Sequence, residues 1–316
     1  MEKIILLFTL FFLFSCSNKN EKEVDFMLDY TINTNHIGLF VALEKGYFKE
    51  NNIKLNILSA LEDSTSDMVI HKKVQFGIYF QESLAAKLAK GANISAVAAI
   101  IKHNTSGILS TKDINSIDKM QGKKYGSWND PVEQAMIKEI FKENLIKDVN
   151  FVPNQDSNSI SSLKNNIFDF CWVYYAWDGV LAKTLKLEYN FFYLKDYIKE
   201  LDYYSPIIIA NNDWLKENKE LAKKVLQAIK KGYIFAMKNP QESAKILIKY
   251  APNLAKNKEF ILNSLIYLSK QFADKPEEWG FIDANRWNEF YSWLNKKEIL
   301  KNKIPLNVGF TNEYLK

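Results

Sequence analysis

Several polar stretches in this chain carry side chains suited to holding a flat, hydrogen-bonding molecule, and each follows an apolar run. Asn33, Asn35 and His36 open "NHIGLFVALEKGYF"; Gln81 and Glu82 follow "VQFGIY"; His103 and Asn104 follow "ISAVAAII"; Ser127, Trp128 and Asn129 follow a strand that starts at Lys124. Amide, imidazole and carboxyl groups at such places sit beside the unpaired N–H groups of helix N-termini, where ligands of open α/β sheets bind. Taken singly, Asn35 and Asn129 read as helix caps. It is the convergence of four loops that points to a ligand. A further stretch, "CWVYYAWDG" from Cys171 to Gly179, brings Trp172, Tyr174, Tyr175 and Trp177 together with Asp178, and "DYY" adds Tyr204. Tyr and Trp offer a flat apolar face with a polar edge, and a stacked pair contributes ~0.5–1.5 kcal/mol beyond its buried area. On one extended strand Trp172 and Tyr174 share a face that Tyr175 does not, so one set is expected to serve the core.

Bond-breaking constellations are missing. The sequence has no Gly-rich phosphate loop, HExxH, CxxC or GxSxG elbow, and His36, His71 and His103 are scattered. No cofactor or metal is expected. The net charge is +5, yet Arg286 is the single arginine. Arginine grips phosphate and carboxylate bidentately, so its scarcity argues against an obligately anionic ligand, and the lysine surplus without a basic-aromatic stripe argues against nucleic acid.

The elements that position these residues alternate between short apolar runs and helix-period stretches, the pattern of sheets with crossover helices. "VDFMLDY" (24–30), "IKLNIL" (53–58), "VQFGIY" (74–79) and "ISAVAAII" (94–101) read as strands of one α/β unit, with helices stopped at Gly46 and Gly91. "GSW", "VNFVP", "FDFCWVYY" and "YNFFYL" belong to a second unit, and "YYSPIIIA" returns the chain to the first. Helices follow. Leu221, Val225, Ala228, Ile229, Tyr233 and Ala236 mark one buried face, and Asn239, Pro240 and Glu242 read as N-cap, first-turn proline and capping-box acid. The expected architecture is two α/β lobes, residues 24–110 with 205–316 and residues 111–204, joined by crossings near 108–112 and 203–206 with a ligand cleft between them.

The first fifteen residues read as an export signal. Its apolar run, Ile4 to Phe14, is far shorter than the ~20 residues of a membrane span. "LFSC" resembles the bacterial lipobox, which makes Cys16 the lipidated residue and 16–23 a polar tether. Cys171 is then the one cysteine left, and burial alone must hold the fold.

"NTNHIGLFVALEKGYFKENNIKLNIL", "VQFGIYFQESL", "AAIIKHNTSG", "KKYGSWNDPVEQAMIK" and "LDYYSPIIIA" resemble, in order and over nearly the whole mature chain, the thiamine-pyrimidine-synthase-like branch of periplasmic solute-binding proteins. The resemblance implies a type II periplasmic binding-protein fold and a monomeric lipoprotein, anchored on the outer face of a bacterial cell membrane. It further implies delivery of a small planar heterocycle to an ABC transporter permease. Several members carry hydroxymethylpyrimidine or formylaminopyrimidine; others are thought to carry riboflavin. By that analogy Asn33, Asn35, His36, Gln81, Glu82, His103, Trp128 and the aromatics around Trp172 to Trp177 fall at cleft positions, with Asp178 as the acidic residue after the cluster. Eukaryotic pyrimidine-forming enzymes of the family carry a cysteine-rich motif, and here Cys171 stands alone, which disfavours the enzyme reading.

Overall fold

Two mixed sheets, each with one strand running against the rest, give the chain its frame. The computed structural model describes residues 21–59, 65–154 and 158–316. The export signal, Cys16 and most of the tether lie outside the described residues.

From the start of the described chain, β1 (Lys22–Met27), α1 (Ile37–Glu44), β2 (Ile53–Leu58), α2 (Thr65–Ile70), β3 (Phe76–Tyr79), α3 (Gln81–Leu88) and β4 (Ile94–Ala99) follow one another. The chain crosses over 100–105 and continues as β5 (Ser106–Thr111), β6 (Lys124–Ser127), α4 (Pro131–Glu143), β7 (Asn150–Pro153), α5 (Ser159–Lys164), β8 (Phe170–Tyr174), α6 (Val180–Thr184) and β9 (Tyr189–Tyr193). It returns over 202–206 into β10 (Ile207–Asn211), then α7 (Asn212–Glu217), α8 (Lys219–Lys238), α9 (Pro240–Tyr250), α10 (Lys258–Leu268) and α11 (Ala284–Lys296).

The sheet orders are β2-β1-β3-β10-β4 and β7-β6-β8-β5-β9. In each, three parallel strands are followed by an antiparallel strand in fourth place, and that strand is the first one after a crossing. β5 arrives from the first sheet and inserts between β8 and β9; β10 returns and inserts between β3 and β4. This is the expected two-lobe α/β architecture. Two boundaries move. Ser106–Thr111, expected at the end of the first lobe, pairs in the second sheet, so the chain has already crossed by residue 105. The crossing expected near 108–112 is instead β5 and a turn at 112–113 inside the second sheet's unit. Lys22 and Glu23, expected in the tether, open β1 and pair with Ile53 and Lys54.

The two crossings run side by side. Ile100 N donates to Pro206 O at 3.0 Å, Asn104 N to Asp202 Oδ1 at 2.8 Å and Asn104 Nδ2 to Leu201 O at 2.8 Å. One apolar cluster is continuous across them, joining Ala99 and Ile209 of the first sheet to Ile108, Phe170 and Trp172 of the second. Met136 and Ile140 of α4 and Trp287 and Phe290 of α11 complete it. The opposite face of the first sheet packs against α1, α8, α9 and α10. α1 is buried from Ile37 to Ala42 because it is wedged between that sheet and α8, where Gly232 lets the helices approach so closely that a Cβ would stand 2.0 Å from Gly38 O. Val225, Ala228, Ile229, Tyr233 and Ala236 of α8 face inward, as their spacing predicts. Asn239 and Pro240 take the N-cap and first-turn positions of α9 as expected, but no capping box forms: the Asn239 amide donates back to Phe235 O at 3.1 Å, closing the end of α8, while Glu242 pairs with Lys45 at 2.6 Å.

Candidate functional site

A cavity of about 530 Å³ lies between the sheets, at the carboxyl ends of β1, β3, β6 and β8. Its wall is assembled from the loops that follow those strands, where helix N-termini leave backbone donors unpaired.

The loop after β1 folds through its own side chains. Asn33 Oδ1 accepts from Asn35 N at 2.9 Å, so Asn33 is the cap expected at Asn35. His36, 0 % exposed, accepts from Asn33 N at Nδ1 (3.3 Å) and reaches Asp29 Oδ1 with Nε2 at 2.7 Å. The imidazole thus stands behind the wall and holds Asp29 and Asn33, which are part of it. Asn35 lines the cavity, its Oδ1 is buried without a partner, and its carbonyl accepts from Tyr233 OH at 2.6 Å. Thr34 Oγ1 meets Ser264 Oγ at 2.7 Å, and Ser264 donates to Ala176 O at 2.6 Å, tying this loop to the aromatic turn of the second sheet.

After β3, Glu82 faces the cavity and Gln81 does not. Gln81 is fully buried: its Oε1 accepts from Tyr204 N at 2.8 Å and its carbonyl from Tyr291 OH at 3.0 Å, which joins α3 to the return crossing and to α11. Glu82, 6 % exposed, accepts from Tyr174 OH at 3.0 Å and from Ser205 Oγ at 3.1 Å. Burial, outweighing those donors, pushes its carboxyl up to about 7.

The second sheet supplies the rings. Trp128, 40 % exposed, lies 5.3 Å from Trp172 and 6.3 Å from Tyr174, and Tyr174 lies 6.2 Å from Phe80 of the first lobe. Trp172 is fully buried and its Nε1 has no partner. β8 ends at Tyr174 and the backbone enters a single π-turn over Tyr175–Gly179, so strand alternation stops there. Trp177 and Asp178 therefore come back to the wall, whereas Tyr175 packs away from it against Phe191, Tyr193 and Tyr267. Burial raises Asp178 to about 7.

His103 and Tyr204 line a second cavity, of about 640 Å³, which shares no wall residue with the first. β4 runs straight into the crossing, so His103 meets Asp202 (3.1 Å) and Asp274 (3.2 Å) rather than the loops after β1 and β3. Tyr204 lies under Arg286, 4.4 Å from the guanidinium.

Glu133, Asn154 and Asp29 belong to the wall although sequence reasoning passed over them. Glu133 sits one turn into α4, a place that reads as a solvated helix face; its carboxyl instead accepts from Tyr125 and from Ser127 Oγ at 2.9 Å, and burial raises it to about 7. Asn154 Oδ1 is buried without a partner. Asp29 had a signal, a carboxyl near the end of the segment read as the first strand, two residues before the polar run from Thr31. Among the described residues no group of three His, Cys, Asp or Glu side chains is arranged to hold a metal ion, and no helix is long and apolar enough to cross a membrane.

A family model described as "NMT1/THI5 like" matches residues 33–243, from the first wall loop through α9's first turn. The chain belongs to the NMT1/THI5-like family. The formylaminopyrimidine-binding protein of Halalkalibacterium halodurans is 22% identical over 338 aligned positions, covering 98% of this chain and 97% of that protein. A 4-amino-5-hydroxymethyl-2-methylpyrimidine phosphate synthase of Saccharomyces cerevisiae is 22% identical over 307, covering 88% and 90%. In fold, the chain matches the alkanesulfonate-binding protein of Xanthomonas axonopodis, bound to MOPS, with a TM-score of 0.71 at 10% identity over 92% of this chain and 98% of that one. Proteins similar to this chain over most of its length are thus named both as a binding protein and as a synthase, and individual side chains must separate the two activities.

Proposed function

We propose that this protein is the substrate-binding component of an ABC importer, exported and lipid-anchored through Cys16, which captures a thiamine pyrimidine precursor, hydroxymethylpyrimidine or formylaminopyrimidine, and performs no chemistry on it. The observation that carries this reading is the wall of the 530 Å³ cavity, where aromatic faces (Trp128, Trp172, Tyr174) stand beside buried polar atoms that lack partners, Asn35 Oδ1, Asn154 Oδ1 and Trp172 Nε1. A buried unpaired donor or acceptor costs ~1–3 kcal/mol, and a ligand bringing the complementary atoms recovers it. An aminopyrimidine does so: its amine donates to amide oxygens, its ring nitrogen accepts from an indole N–H, and its ring stacks. Support also comes from the formylaminopyrimidine-binding relative and from the solute-binding-protein fold of the structural neighbour.

Calorimetry with hydroxymethylpyrimidine, formylaminopyrimidine, thiamine and riboflavin tests it, beside thermal melting. A pyrimidine at a hundredfold its dissociation constant stabilises the protein by ~2.7 kcal/mol. Binding of riboflavin with no response to either pyrimidine overturns the ligand assignment; turnover of a bound pyrimidine overturns the binding-protein reading.

A further inference from the structure

Among the described residues, the wall of this cavity carries five carboxyl groups, Asp29, Glu82, Asp130, Glu133 and Asp178, and no lysine, arginine or histidine. Four of the five are held by donors from other residues: Asp29 by His36, Asp130 by the N–H groups of Val132 and Glu133, Glu82 by Tyr174 and Ser205, and Glu133 by Tyr125 and Ser127. Asp178 has its own backbone N–H and, among the described residues, no donor from another side chain. The lone arginine is committed elsewhere, its guanidinium 3.0 Å from Asp202 beside the crossings. A chain of net charge +5 has thus put an acidic lining, free of cations among the described residues, around this aromatic-walled cavity. The frame does not require this, since the structural neighbour on the same fold is an alkanesulfonate-binding protein.

Resting on the function proposed above, we propose that this cleft selects its ligand by charge. It takes a heterocyclic base that presents amine N–H donors and a ring acceptor, and it rejects the same ring once it carries a phosphate or sulfonate. Asp178 and Glu82 are the selecting groups. Asp178 is the carboxyl left for the ligand's amine, and Glu82 sits where both lobes and the return crossing meet. An anion brought among these carboxyls has no cation to meet it, and in a site shielded from water the repulsion is only weakly screened. Burial holds both groups near half-ionised at neutral pH, so a base that donates hydrogen bonds, or brings a positive charge, draws them to the ionised form.

The test uses matched pairs on the full mature chain: hydroxymethylpyrimidine against its phosphate monoester, and riboflavin against its phosphate monoester, titrated by calorimetry into wild type and into an Asp178→Asn, Glu82→Gln double variant. For whichever ring binds, the expected result is that wild type holds the phosphate form at least a hundredfold more weakly than the base, and that the double variant narrows this ratio at least tenfold. Removing carboxyls that burial disfavours leaves the variant at least as stable as wild type, which melting curves check. A phosphate form bound within threefold of its base, or a ratio unmoved by the double substitution, overturns the charge selection while leaving the functional reading intact. Failure of all four compounds, and of formylaminopyrimidine titrated beside them, overturns that functional reading and this inference with it.

Discussion

Tyr174, at the end of β8 in the second sheet, donates its hydroxyl to Glu82 Oε1, on α3 beside the first sheet, at 3.0 Å. Ser205 of the return crossing donates to the same carboxyl at 3.1 Å from Oε2. One buried acid therefore gathers both lobes and the segment that joins them, at the wall of the cavity. A ligand that draws on this carboxyl acts on the contact between lobes, which is how a cleft couples occupancy to closure.

Glu82 makes stability depend on pH in a definite direction. Its ordinary value is 4.5 and burial raises it to about 7, so its neutral form is favoured by folding. That contribution is complete below the ordinary value and is lost as pH rises through 7. Urea unfolding of the ligand-free protein should therefore show stability falling from about pH 5 to about pH 8, with Glu82→Gln removing on the order of 3 kcal/mol of that fall. Parallel wild-type and variant profiles would contradict the assignment.

Asn35 and His36 are adjacent yet should behave as opposites. Asn35→Ala removes a side-chain oxygen that bonds to nothing, so the melting temperature should hold while pyrimidine affinity drops about tenfold, the worth of ~1–1.5 kcal/mol. His36→Ala strips the buried partner of Asp29, and unfolding should become easier by about 2–4 kcal/mol. Equal loss of stability in both variants would remove the distinction between wall and support.

Arg286 secures the crossings. Burial by itself would raise Asp202, yet the His103 hydrogen bond, the Arg286 charge and Asn104 N–H together hold it below the usual carboxylate range. Arg286 reaches both the carboxylate and the Asp202 carbonyl, a fork that lysine does not reproduce. Arg286→Lys should cost about 1–2 kcal/mol at neutral pH by chemical denaturation, with the cost fading in acid as Asp202 protonates. A cost that persists unchanged at low pH would locate the effect in packing against Tyr204 instead.

Gly232→Ala should destabilise despite a helix preference that favours alanine by ~1 kcal/mol. The new Cβ would stand 2.0 Å from Gly38 O, backbone that can yield only if α1 and α8 separate. We expect a net loss of at least ~2 kcal/mol by denaturant titration. Because Tyr233, the next residue, holds Asn35 O, ligand affinity should fall as well. A neutral or stabilising result would mean that the two helices are not locked together.

Local patterns were sufficient for the α/β alternation, the strands other than β5, the stops at Gly46 and Gly91, and the wall residues Asn33, Asn35, Glu82, Trp128, Trp172, Tyr174, Trp177 and Asp178, because apolar period and strand-end chemistry are properties of short segments. They also carried the family, through stretches that keep their order along the chain. What they could not decide is anything set by a distant partner. Ser106–Thr111, expected as a crossing, becomes β5 of the second sheet because β8 and β9 flank it there. Gln81 and His36 are polar residues at strand ends like their neighbours, but Tyr204, Tyr291 and Asp29 claim them for the frame. His103 and Tyr204 face another cavity because the crossing carries them to Asp202 and Arg286. Glu133 looks solvated until Tyr125 and Ser127 turn toward it. In sequence, a side chain's type and period along the backbone are fixed; only the packed chain settles which group across space pairs with it, and that pairing decides whether a polar residue meets a ligand or another residue.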